Sequence, residues 1–116
     1  MTKTLTETEI DEFKTNGAIL VKNAVDPDWV ERMNEVVQNQ LDHPSSWAND
    51  GNPGYAQDRM FTDRYLWQEN DDVMSFVYES GCAQLAAQAM QSSTARFYFD
   101  HLLVKEPGTP AVTPWH

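Results

Sequence analysis

One histidine near a strand-like segment is the first candidate for chemistry. His116 follows Thr113-Pro114-Trp115, an extended run that we interpret as the start of a strand. A histidine there can be a ligand in a non-haem iron site, which uses two histidines and one carboxylate. Strand residues i and i+2 share a side, so the Asp of a His-x-Asp pair would fall two positions beyond His116. The alternative is a histidine with no role, which the residues alone favour, because a single histidine is usually not a ligand.

Three more polar residues lie in a run rich in aromatic and branched side chains. Residues 96–105 predict one long strand. Strand alternation puts Asp100 and His101 on opposite faces, so one of them must face the interior or a cleft. That residue could bind a ligand or make a structural hydrogen bond. Lys105 could anchor a carboxylate as a point charge, or could be an exposed lysine at the end of the strand.

The other reactive or aromatic side chains favour structural roles. Cys82 is interpreted as a buried small hydrophobe on a helix, and His43 as a solvated helix end. The sequence holds no glycine-rich phosphate loop, nucleophile elbow or zinc motif. Four aromatic residues are predicted to be core: Trp29, Trp67, Phe97 and Phe99. Five carboxylates are predicted to form a mostly solvated acidic face: Asp58, Asp63, Glu69, Asp71 and Asp72.

Capping residues and apolar spacing predict four helices. The first begins after an N-cap at Thr6, with a capping box closed by Glu9, and ends at a left-handed cap at Gly17. The second begins after Asp26 and ends at His43-Pro44. Two shorter helices follow, marked by a cap at Asn70 or Asp71, a break at Gly81, and core spacing of Cys82, Leu85, Ala86 and Ala89.

The strand predictions are fewer. Residues 18–21 predict a short strand, and residues 107–110 predict a turn. Residues 42–59 are interpreted as a long loop, and residues 60–69 as mostly irregular. The long strand at residues 96–105 then has no convincing partner, and an unpaired strand is unstable. We therefore expect the natural protein to continue beyond residue 116.

Composition excludes several classes of protein. The chain has 116 residues, enough for one domain, with 18 acidic residues against 8 basic ones and a net charge of −10. Such a charge repels nucleic acid backbones and anionic lipid surfaces, so we expect neither as a partner. A single cysteine excludes an internal disulfide, and the first residues lack a secretory signal. These features predict a cytoplasmic setting.

A longer match of residues points to a family. The stretch from Arg96 to Thr109, with its Lys-Glu-Pro-Gly turn, followed by Thr-Pro-Trp-His at residues 113–116, closely resembles the phytanoyl-CoA dioxygenase family. Residues 59–67 and 13–25 also resemble it. The resemblance implies an iron(II)/2-oxoglutarate-dependent dioxygenase on a double-stranded β-helix. By position it implies that His116 is the first iron ligand, and that Leu102 and Lys105 bind the co-substrate 2-oxoglutarate.

The resemblance also sets expectations for the whole chain. The fold class is α+β, with N-terminal helices and the first strands of a jelly-roll or cupin-like barrel that is incomplete within residues 1–116. We expect these residues to be the N-terminal portion of a single oxygenase domain. The full-length protein would hydroxylate a small organic substrate while 2-oxoglutarate is decarboxylated to succinate. The chain alone would be inactive, because it lacks the carboxylate ligand, the second histidine and the distal arginine. The alternative is a non-catalytic α+β binding module derived from that family.

Overall fold

The order of the elements follows from a computed structural model that describes residues 3–50 and 58–115. The described part is α+β, with four helices and an open three-stranded antiparallel sheet. The helices are α1 Glu7–Asn16, α2 Pro27–Asp42, α3 Asp71–Glu79 and α4 Cys82–Ala89. The strands are β1 Asn49–Asp50, β2 Met60–Arg64 and β3 His101–Lys105, and a short 3-10 helix spans Leu66–Gln68. None of these helices has the length and apolar character needed to cross a membrane.

The four helices begin and end where the capping residues predict. The Thr6 hydroxyl accepts a hydrogen bond from the Glu9 backbone at 3.2 Å, and the Thr6 backbone donates to the Glu9 carboxylate at 2.8 Å. Gly17 ends α1 in the left-handed conformation, at φ 75°. Asp26 caps α2. Asn70 caps α3 by accepting from two backbone amides. The helix predictions are confirmed, and in α1, α2 and α3 the N-cap side chain satisfies backbone amides that the helix cannot pair itself.

The sheet corrects the predictions for the middle of the chain. Residues 60–69 were expected to be irregular, yet β2 occupies the first five of them. β1 lies within the expected loop at residues 42–59 and pairs with β2. In β2 the inward positions are Phe61 and Asp63. A buried carboxylate breaks the apolar alternation that marks a strand, so the pattern was hidden in the sequence.

The long predicted strand is shorter than expected and has a partner. Only its second half, β3, is a strand, whereas residues 96–100 are not part of the sheet, although the Asp100 carbonyl accepts a hydrogen bond from the Tyr65 backbone at 3.3 Å. β3 pairs with β2 in an antiparallel register that sets Lys105 opposite Met60 and His101 opposite Arg64. The expectation that this strand has no partner was therefore wrong, because its partner had been assigned to an irregular segment.

Two further predicted strands are absent from the described residues. Residues 18–21 and 113–115 have no strand pairing, and the side chains of Leu20 and Trp115 are 81% and 104% exposed. The sheet order β1-β2-β3 places no described strand beside either segment. An apolar run becomes a strand only when another strand accepts its backbone hydrogen bonds.

The core lies between the sheet and helices α2 and α3. Its buried members are Val36, Leu66 and Val73, and three half-buried side chains pack against them: Met33, Trp67 and Leu102. Trp29 and Trp67 are half-buried, as expected of core residues at the margin. Phe97 and Phe99 are 42% and 38% exposed, so their prediction as core residues was wrong for the described part of the chain.

The predicted turn after β3 is confirmed and depends on one glycine. The backbone of Thr109 donates to the carbonyl of Glu106 at 3.2 Å, and Gly108 has φ 89°. Proline before such a glycine suits a type II turn. A Cβ atom at position 108 would lie 2.7 Å from an oxygen of the Asp58 carboxylate.

Gly108→Ala is therefore expected to lower the free energy of unfolding by about 2 kcal/mol, since it adds a clash to the strain of a positive φ. Gly17→Ala is the matched control. Gly17 has φ 75°, but nothing lies within 4 Å of its added Cβ, so strain alone should cost about 1 kcal/mol. Urea unfolding of both variants measures the difference. Equal losses would contradict the role of the Asp58 contact.

Candidate functional site

The two faces of the sheet differ in exposure. Direct pairs in an antiparallel register share a face. We call the exposed side the outer face; it carries Met60, Thr62, Arg64, His101, Leu103 and Lys105. The opposite, inner side packs on the helices, with Phe61 3% and Asp63 0% exposed. Alternation along β3 matches the prediction, since its residues are exposed and half-buried in turn. Among the side chains of the paired strands, those of the outer face are thus the more exposed ones.

The structure separates two of the predicted site residues. Leu102 lies on the inner side and packs against the core of Val36, Leu66 and Val73. Lys105 is exposed on the outer face. The sheet therefore does not bring these two side chains together. His116, the predicted iron ligand, lies outside the described residues. The predicted ligand roles of the three residues stay predictions.

The outer face carries positive charge in an acidic chain. Four described cations have carboxylate partners, namely Lys3, Lys14, Arg32 and Arg59. Lys105 and Arg64 form no ion pair with another described residue. They stand at opposite ends of the paired strands, since Lys105 lies opposite Met60 and Arg64 opposite His101. Each can therefore pair with an anionic group, but the two cannot both contact one small anion.

The end of β3 is held by a clamp between Arg59 and Glu106. The Arg59 guanidinium donates to both Glu106 carboxylate oxygens, at 3.0 and 3.3 Å. The Arg59 backbone donates to the same carboxylate at 2.9 Å, and the Glu106 backbone donates back to Arg59 at 2.9 Å. The side-chain hydrogen bonds from Arg59, then its backbone bond, lower the pKa of Glu106. The clamp fixes the backbone next to Lys105, and nothing in the spacing of the two residues revealed it.

A second unexpected feature is the buried carboxylate of Asp63. It was predicted to be solvated, and it is instead fully buried. It accepts hydrogen bonds from Gln40 at 3.0 Å, from the Ser45 backbone at 3.0 Å, from the Arg64 backbone at 2.8 Å and from the Ser45 hydroxyl. Burial raises the pKa of Asp63, but these hydrogen bonds together bring it below its ordinary value. Asp63 is therefore a charged structural group that ties the end of α2 to β2.

An aromatic row borders the outer face. It consists of Trp47, Tyr65, Phe99 and His101, whose neighbouring ring centroids are 5.0, 5.8 and 6.5 Å apart. Trp47 is 50% exposed, and its backbone amide donates to the Ser45 hydroxyl that also binds Asp63. The row comes from three separate segments, so no spacing in the sequence indicated it. The Asp63 network thus holds one end of the row in place.

Two open questions about single residues are answered. The Asp100 carboxylate accepts from the backbone amides of Leu66 at 2.9 Å and Trp67 at 3.0 Å, so it makes a structural hydrogen bond. His101, on the other side, is exposed at the outer face. Cys82 is half-buried rather than buried.

A metal site needs several ligands around one point. Among residues 3–50 and 58–115, no three His, Cys, Asp or Glu side chains are grouped so that they could hold a metal ion. The described residues therefore do not form the iron site by themselves. The predicted iron site depends on His116 and on ligands that would come from elsewhere in the protein.

The comparisons with known proteins agree with the resemblance seen in the sequence. The family model for phytanoyl-CoA dioxygenase (PhyH) matches residues 13–116. No curated protein and no solved structure matches the chain. The family match covers both sides of the clamp, all three strands and the predicted ligand at residue 116. The chain belongs to the phytanoyl-CoA dioxygenase family.

Proposed function

We propose that the protein containing this chain is an iron(II)/2-oxoglutarate-dependent dioxygenase. It hydroxylates a small organic substrate and decarboxylates 2-oxoglutarate to succinate. The observation that carries the proposal is the family match over residues 13–116. Members of this family are generally oxygenases of that kind. Iron(II), when bound, supplies the oxidising chemistry, and the protein supplies binding and orientation.

In the proposed enzyme, β3 lines the pocket of the co-substrate. Lys105 offers an ammonium group without a carboxylate partner among the described residues, which suits a carboxylate of 2-oxoglutarate. The Arg59–Glu106 clamp holds the backbone beside it, and Leu102 anchors the same strand to the core from the inner side. His116 is the proposed first iron ligand.

We further propose that residues 1–116 are the N-terminal portion of one oxygenase domain whose barrel is a double-stranded β-helix. The open sheet supports this proposal, because β3 has a partner on one side only among the described strands. More strands added at that edge would extend the sheet toward a barrel. On this proposal the 116 residues alone do not turn over 2-oxoglutarate. A cytoplasmic setting also belongs to the proposal, and it is supported by the single cysteine of residues 1–116, which leaves no pair to form a disulfide among them.

A non-catalytic α+β binding module is the second candidate. The exposed cations Lys105 and Arg64 of the outer face, which form no ion pair with another described residue, would serve such a module as binding groups. The two candidates differ in whether the coding sequence continues after codon 116 with an acidic residue two positions on.

Lys105→Ala is expected to raise the KM for 2-oxoglutarate about tenfold in the protein made from the complete open reading frame, with little change in kcat. The physical reason is the loss of one charge-assisted hydrogen bond to a bound carboxylate, worth about 1.5 kcal/mol at a partly solvated site. Lys105→Arg should keep most of the affinity. Lys22→Ala, which removes another exposed lysine, is the matched control. A KM that is the same in the Lys105 and Lys22 variants would refute the assignment.

A further inference from the structure

A small cavity lies between α3, α4 and the extended segment at residues 95–97. Its volume is about 250 Å³. Phe76 of α3 and Phe97 of the extended segment form two of its walls, and Cys82 and Ala86 of α4 form a third. Residues four apart lie on the same side of a helix, so both of these small side chains border one space. The cavity exists because α4 has small residues at positions where larger ones would fill it.

The chemistry of the walls points to one class of ligand. The residues that line it are apolar except for Cys82 and Arg96. Arg96 is exposed, and it forms no ion pair with another described residue. Four of the eight Lys and Arg residues have a carboxylate partner among the described residues, and Arg96 is one of the four that do not. A guanidinium without such a neighbour, beside an apolar space, is complementary to an anion with an apolar body.

We propose that this cavity binds a small organic monocarboxylate. The apolar body of the ligand occupies the space between Phe76 and Phe97, and its carboxylate pairs with Arg96. Guanidinium groups bind carboxylates through two parallel hydrogen bonds, which fixes the orientation of the ligand. The volume falls just below the roughly 300–1,000 Å³ of sites for drug-sized ligands, so a single ring or a short branched chain fits. This site is independent of iron and 2-oxoglutarate.

The experiment uses the protein made from the complete open reading frame and measures the rate at which iodoacetamide alkylates Cys82, followed by mass spectrometry of the peptide that contains this residue. Phenylacetate is the probe, and phenylacetamide is its uncharged control. Phenylacetate is expected to slow alkylation by fivefold or more at saturation. It should reach half of its effect at about a tenfold lower concentration than phenylacetamide, because only the anion pairs with Arg96.

Two variants separate the charge from the space. Arg96→Gln, at an exposed position, should reduce protection by phenylacetate to the level of phenylacetamide. Ala86→Leu should fill the cavity and abolish protection by both compounds, with far-UV circular dichroism as the check that it folds. The proposal is overturned if the two compounds protect equally, or if Arg96→Gln leaves the difference intact. It is also overturned if alkylation of Cys82 slows as the protein concentration rises but does not change when phenylacetate is added. A second copy of the chain would then cover the cavity.

Discussion

Asp63→Asn is expected to lower the free energy of unfolding by about 3 kcal/mol at neutral pH. The buried carboxylate accepts four hydrogen bonds, from Gln40, from the Ser45 backbone and hydroxyl, and from the Arg64 backbone. An asparagine of the same shape sets an NH2 group against some of these donors and leaves them unsatisfied. Hydrogen bonds to a charged group contribute about 1.5–3 kcal/mol each, and an unpaired buried donor costs about 1–3 kcal/mol. Urea unfolding at constant m measures the loss.

The control is Glu69→Gln, which neutralises an exposed carboxylate from the same predicted acidic face. It should change stability by no more than about 0.5 kcal/mol. The pH dependence is a second check. Because the pKa of Asp63 is lowered in the folded state, its stabilising contribution is complete above its ordinary pKa and is lost as pH falls through the folded value. The difference between wild type and Asp63→Asn should therefore shrink in acid. If Asp63→Asn and Glu69→Gln had the same free energy of unfolding at neutral pH, the stabilising role of the Asp63 hydrogen bonds would be contradicted.

His116→Ala is expected to weaken binding of iron(II) by more than about 100-fold in the protein made from the complete open reading frame. Groups that merely orient a ligand already contribute about 10–100-fold to metal affinity, so a ligand itself should contribute more. Equilibrium dialysis against iron(II) without oxygen gives the affinity, and it does not depend on knowing the substrate.

The matched control is His43→Ala, which removes an exposed histidine at the end of α2. Its iron affinity should equal that of the wild type. If His116→Ala binds iron as tightly as His43→Ala does, His116 is not a ligand.

The helices could be predicted because their signals are local. Thr6 and Glu9 lie three residues apart, and the side chain of each accepts a hydrogen bond from the backbone amide of the other. Asp26 and Asn70 accept from backbone amides within the first turn of their helices. Such caps need no other part of the chain to be in place. The turn at Pro107-Gly108 is local for the same reason. These elements were therefore correct to within a residue or two.

The sheet and its site could not be predicted in the same way. β2 carries Asp63 at an inward position, and only the distant donors Gln40 and Ser45 make that burial possible. The partners Arg59 and Glu106 are 47 residues apart, so their clamp exists only once β2 and β3 have paired. The binding of 2-oxoglutarate by Leu102 and Lys105, predicted from their positions in the family, stays a prediction, and alternation along β3 puts their side chains on opposite faces.

The most direct test of the proposed function is the conversion of 2-oxoglutarate to succinate by the protein made from the complete open reading frame. The assay is run with a panel of small organic compounds, because hydroxylation of the substrate is coupled to decarboxylation of 2-oxoglutarate in the proposed reaction. The account predicts that iron(II) and oxygen produce one succinate for each 2-oxoglutarate consumed, and that residues 1–116 alone produce none. A folded full-length protein that binds iron(II) but forms no succinate would contradict it.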